Sequence, residues 1–144
     1  MLQISRPWGA PVPLPILAGA VRAGFPSPAE DFVEQEIDLQ RLLVPNRPST
    51  FLVRVSGDSM VLARLFDGDI AIVDRSISPA DGDIVVVDID GERSFKIWSR
   101  CAGRVQLSFA NPRFPEFEIP SDAVVEIWGV VSGSINPRRR ASVR

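Results

Sequence analysis

Histidine is absent from the 144 residues, and cysteine occurs once, at Cys101. Without histidine there is no Ser-His-Asp or Cys-His arrangement, and with one cysteine besides there is no plausible zinc site; no metal and no cofactor are expected. One cysteine excludes an intrachain disulfide and fits a reducing, cytoplasmic setting. A formal charge of −2 supplies no field that would hold a polyanion, so specific DNA binding is not expected. No run is apolar enough to span a membrane. Arg138, Arg139, Arg140 and Arg144 read as a solvated tail. Lysine is the last scarcity: beside fifteen arginines stands Lys96 alone. Arginine stays protonated, whereas a buried lysine can lose its proton and act as a base, so the two are not exchangeable at a catalytic position.

What is present suffices for one core and an arm, since 45% of the residues are apolar. Pro7, Pro11, Pro13, Pro15 and Pro26 argue against a packed helix in the first 26 residues. That stretch ends Val21-Arg22-Ala23-Gly24, which has the small residues of a secretory cleavage site, but the prolines interrupt the apolar run that a leader needs. A flexible arm of residues 1–23 before a domain of residues 24–144 accounts for the same letters. Ser27-Pro28-Ala29-Glu30 places a capping serine, a proline and a glutamate at the spacing of a helix start, and predicts a short helix through about Gln35. A second turn around Leu39, Leu42 and Leu43 should end before Pro45. From Thr50 the pattern changes to short β-rich runs at 51–55, 70–73, 84–87, 95–98, 105–107 and 124–131. Asp67-Gly68-Asp69, Asp81-Gly82-Asp83 and Asp90-Gly91-Glu92 punctuate them. The fold class is mainly β, with compact, curved antiparallel sheets or a partial barrel and short helices.

Two residues carry candidate chemistry. Ser59 follows the first of these strands in Ser56-Gly57-Asp58-Ser59-Met60, ahead of apolar residues at helical spacing. A serine there reads either as an N-cap or as a hydroxyl exposed beside backbone N–H groups that suit an oxyanion. Lys96 lies in Ser94-Phe95-Lys96-Ile97-Trp98, where alternation puts it on the face of Ser94 and Trp98. It reads either as a stem lying on apolar surface with its amine in water, or as a desolvated general base.

Ser56-Gly57-Asp58-Ser59-Met60 and Phe95-Lys96, with 37 residues from Ser59 to Lys96, resemble the two motifs of the LexA-type self-cleaving Ser-Lys proteases. Ala23-Gly24 is similar to that family's scissile bond. The likeness extends through Gly24-Phe25-Pro26-Ser27-Pro28-Ala29, Val33-Glu34-Gln35, Asp67-Gly68-Asp69, Ile72-Val73-Asp74, Gly82-Asp83-Ile84-Val85 and Trp128-Gly129-Val130-Val131. It implies a LexA- and signal-peptidase-like fold, with Ser59 as nucleophile, Lys96 as general base and the N–H groups of Asp58 and Ser59 as oxyanion hole. LexA itself and phage repressors carry a DNA-binding domain before the cut. Twenty-three proline-interrupted residues are too few for one, so the likeness falls on the UmuD-like branch. That branch implies a homodimer, self-cleavage stimulated by RecA filaments on single-stranded DNA, and a shortened product that joins the Y-family polymerase UmuC in error-prone translesion synthesis. The extended run Pro13-Leu14-Pro15-Ile16-Leu17 reads as an arm folded over its own domain or as a ligand for a sliding clamp. The competing reading is a non-enzymatic β-rich scaffold that binds the polymerase.

Overall fold

The computed structural model describes residues 10–24 and 32–138, and the chain divides into two compact units between Pro45 and Asn46. The cap at Ser27–Glu30 and the arginines at 139, 140 and 144 lie outside the described residues.

In the first unit β1 (Pro13–Leu17) pairs antiparallel with β2 (Val33–Asp38), with Pro13 opposite Asp38 and Pro15 opposite Glu36. Prolines two positions apart have their missing donors on one side of a strand, so a ladder on the other side loses nothing. The N–H of Ala18 continues the alternation by donating to the Phe32 carbonyl at 2.6 Å. Val33–Gln35 are therefore strand and not the end of the expected helix. The helix signal was local, while pairing with β1 engages the backbone of the whole segment. The arm, expected to be loose, contributes a strand. Next comes α1 (Leu39–Leu43), capped by Asp38, whose carboxylate accepts from the N–H groups of Gln40 and Arg41. It ends before Pro45 as expected.

The second unit is a six-stranded antiparallel sheet in the order β3 (Thr50–Arg54), β4 (Ile70–Asp74), β8 (Val125–Ile135), β5 (Ile84–Ile89), β6 (Glu92–Cys101), β7 (Arg104–Ser108). It is open, with β3 and β7 at its edges, and is not a closed barrel. Asp90 and Gly91 both have positive φ, 52° and 86°, which is the two-residue hairpin geometry matching strand twist between β5 and β6. Val85 and Val87 belong to one apolar cluster with Trp98, Leu107 and Val130. Val86 belongs to another with Val55, Met60, Leu65, Ala71 and Val73. Both faces of β5 are thus covered, which is why Ile84-Val85-Val86-Val87 reads as a continuous apolar run.

Candidate active site

Beyond β3 the chain enters the Ser59 loop under tight backbone control. The N–H of Val55 donates to the Asp69 carbonyl at 2.9 Å, and the N–H of Gly68 returns to the Val55 carbonyl at 2.8 Å. Gly57, at φ +90°, adopts a conformation that a side chain would strain, and its N–H donates to Asp67 Oδ1 at 2.8 Å. Ser59 is half-buried between exposed Asp58 and buried Met60. The 3-10 turn that follows, Val61–Ala63, has Met60 at its cap position and no side-chain capping bond. Ser59 is therefore not the N-cap that a serine ahead of a helix usually is.

Lys96 is only 4% exposed, and its Nζ lies 2.8 Å from Ser94 Oγ and 3.3 Å from the Phe95 carbonyl. Alternation along β6 put Lys96 and Ser94 on one face, and the bond between them bears that out. The Phe109 and Phe117 rings flank Nζ, with centroids at 4.6 and 4.8 Å. Burial pushes the lysine below its ordinary pKa of 10.5. The ring faces oppose that shift, because they attract a cation.

The segment after β7 touches both motifs. The Ala110 N–H donates to the Ser59 carbonyl at 2.8 Å, and the Ala110 carbonyl accepts from the Leu62 N–H at 2.8 Å. Asn111 Nδ2 donates to the Asp58 carbonyl at 2.8 Å. Consecutive residues, Phe109 to Asn111, thus lie against Lys96 on one side and the Ser59 loop on the other. Ser94, Phe109, Asn111 and Phe117 were given no role from the sequence. Ser94 was within reach of the strand period; Asn111 is 53 residues from Asp58 and leaves no local signal of that contact.

Ala23 and Gly24 are in the first unit, exposed, in the connection between β1 and β2. A Cβ added at Gly24 would meet nothing within 4 Å. The hairpin itself has no steric need for glycine there.

The S24-like peptidase family matches residues 15–132 of this chain. The chain belongs to that family. It is 40% identical over 123 residues to Protein MucA of Salmonella typhimurium, covering 85% of this chain and 84% of that one. With Protein SamA of Salmonella typhimurium strain LT2 it shares 37% identity over 141 residues, 96% of this chain and 98% of the relative. LexA repressor 1 of Geobacter sulfurreducens is 38% identical over 125 residues, which span 86% of this chain and 61% of the repressor. The LexA-type resemblance of the motifs is borne out at the level of the family. Among the described residues, no helix is long and apolar enough to cross a membrane.

Proposed function

We propose that the protein is a self-cleaving serine endopeptidase in which Ser59 is the nucleophile, Lys96 the general base and Ala23-Gly24 the scissile bond. The observation that carries this reading is the buried amine of Lys96, bonded to Ser94 and set against the segment that also holds the Ser59 loop. A neutral amine has two N–H donors and one lone pair. Two acceptors, Ser94 Oγ and the Phe95 carbonyl, match the donors and leave the lone pair to accept a proton.

In the reaction Lys96 takes the hydroxyl proton as Ser59 Oγ bonds to the Ala23 carbonyl carbon. The N–H groups of Asp58 and Ser59 stabilise the oxyanion. As the intermediate collapses, the C–N bond to Gly24 breaks and Lys96 gives its proton to the departing amine. Water then attacks the acyl-enzyme, releasing the Ala23 carboxylate and regenerating Ser59. Small residues on both sides of the bond admit it to a tight site.

On this reading residues 1–23 are the cleavable arm and residues 24–144 the protease domain. The resemblance to the UmuD-like branch implies a role for this reaction in SOS mutagenesis in the bacterial cytoplasm, and the 40% and 37% identity to MucA and SamA supports the family membership on which that rests. There a RecA filament on single-stranded DNA stimulates cleavage, and the shortened homodimer serves a Y-family polymerase of the UmuC kind, with the arm a candidate ligand for a sliding clamp. Mass spectrometry of the purified chain after alkaline incubation tests the chemistry. Wild type should yield a fragment beginning at Gly24, and a folded Ser59→Ala protein should not. A Ser59→Ala protein processed like wild type would remove Ser59 from the role.

A further inference from the structure

Asn111 is a buried amide, 8% exposed, whose two polar ends are both engaged. Its Oδ1 accepts from the Arg113 N–H at 3.0 Å, which shapes its own turn. Its Nδ2 reaches across to the Asp58 carbonyl at 2.8 Å. That carbonyl and the N–H of Ser59 belong to one planar peptide unit and point in opposite directions. Fixing the carbonyl therefore fixes the direction of the N–H. The next peptide unit is held in the same way, by the Ala110 N–H on the Ser59 carbonyl. Donation into a carbonyl also polarises the amide, so the N–H on its far side becomes a better donor.

We propose that Asn111 is a positioning residue, which aims and polarises the Ser59 N–H as an oxyanion donor by gripping the carbonyl of Asp58. The proposal rests on the reading of Ser59 as nucleophile. Asn111 touches no reacting atom; it acts through the peptide between residues 58 and 59. Specificity of the grip follows from chemistry: the position needs a donor toward Asp58 and an acceptor toward Arg113, and a side-chain amide provides both. Aspartate keeps the acceptor and loses the donor, whereas alanine loses both.

The test follows first-order self-cleavage of the full-length chain between about pH 7 and 10, in wild type, Ser59→Ala, Asn111→Ala and Asn111→Asp. Removing a whole oxyanion donor costs roughly 10²–10³ in rate, so misaiming one should slow cleavage about 10-fold or more in both Asn111 variants. For Asn111→Ala the midpoint of the pH profile should stay that of wild type, because Lys96 is untouched. The ¹⁵N resonance of Ser59 should shift in both variants, because the donor into the Asp58 carbonyl of the same peptide unit is lost. Should Asn111→Ala fail to fold, Asn111→Asp, which retains the Arg113 bond, carries the rate and resonance measurements. Cleavage by a folded Asn111→Asp protein within about twofold of wild type, or an unmoved Ser59 resonance, overturns the proposal while leaving Ser59 as nucleophile. Absence of the Gly24 fragment from wild type, or its presence in Ser59→Ala, overturns the nucleophile reading and this inference with it.

Discussion

At the scale of single residues, two buried charges titrate in ways that separate function from stability. Burial lowers the pKa of Lys96 below 10.5, and only the unprotonated amine can serve as base. Unassisted cleavage should therefore accelerate with rising pH and level off before the ordinary lysine value of 10.5 is reached. Lys96→Arg keeps the charge but offers no neutral amine, so it should lose at least about 10²-fold in rate despite looking conservative. A folded Lys96→Arg protein cutting near the wild-type rate would falsify the general-base role. Asp74, 2% exposed, is the opposite case. Burial acts to raise its pKa, but hydrogen bonds from the Ser76 hydroxyl and N–H, from Ser49 and from Asn46 overcome that and hold it at about 2 instead of 3.8. Its folded pKa lies below its unfolded one, so its stabilisation is present above about pH 4 and is lost as pH falls toward 2. Asp74→Asn should cost about 1–3 kcal/mol in urea unfolding at pH 7. The difference from wild type should shrink as pH approaches 2, and a difference that stayed constant would assign the cost to shape instead of charge.

At the scale of elements, much was legible from residue 50 onward, because alternation and Asp-Gly punctuation are local signals. Strands were expected at 70–73, 84–87 and 105–107, and β4, β5 and β7 cover them. The hairpin β1–β2 was not legible. Proline normally argues against a strand, and only the two-residue spacing of Pro13 and Pro15, combined with an edge position, reconciles them with a ladder. The candidate site was read through Ser59 and Lys96, whose motifs are contiguous. Its supporting contacts from Phe109, Asn111 and Phe117 were hidden because they arise from chain return. The register of β8 was hidden too: its pairing slips once against β5 and once against β4, consistent with bulges near Trp128 and Ser132. Close approach at Gly129 accompanies the first slip, where an added Cβ would stand 2.6 Å from Val73 Cγ1. Val73 is fully buried and cannot swing away. Gly129→Ala should therefore destabilise the protein by about 1–3 kcal/mol through overpacking. Adding Val73→Ala should recover part of that loss in a double-mutant cycle, and strict additivity would show that the two side chains do not compete for the space.

At the scale of the whole molecule, the proposed cut and the compact units do not share a boundary. The units part after Pro45, whereas the bond between Ala23 and Gly24 lies inside the first unit, between its two strands. Cleavage there separates β1 from β2 covalently, and a two-stranded hairpin has little stability without its turn. Loss of the arm would leave the backbone groups of β2 that face β1 without those partners. The second unit keeps all six strands and both apolar clusters, since none of those residues precedes Asn46. Hydrogen exchange on the full-length chain and on the fragment beginning at Gly24 should therefore diverge locally. Amides of Gln35 and Ile37, opposite Ile16 and Leu14, should lose protection in the fragment, while those of β4, β5 and β8 should keep theirs. Gly24→Glu supplies the uncut control, because open space around Gly24 lets the hairpin accept the larger side chain while a tight site rejects it. That variant should retain protection in β2 and yield no fragment. Loss of protection across β4, β5 and β8 on cleavage would instead mean that the arm supports the main sheet, and retained protection of β2 in the fragment would mean that another partner takes the place of β1.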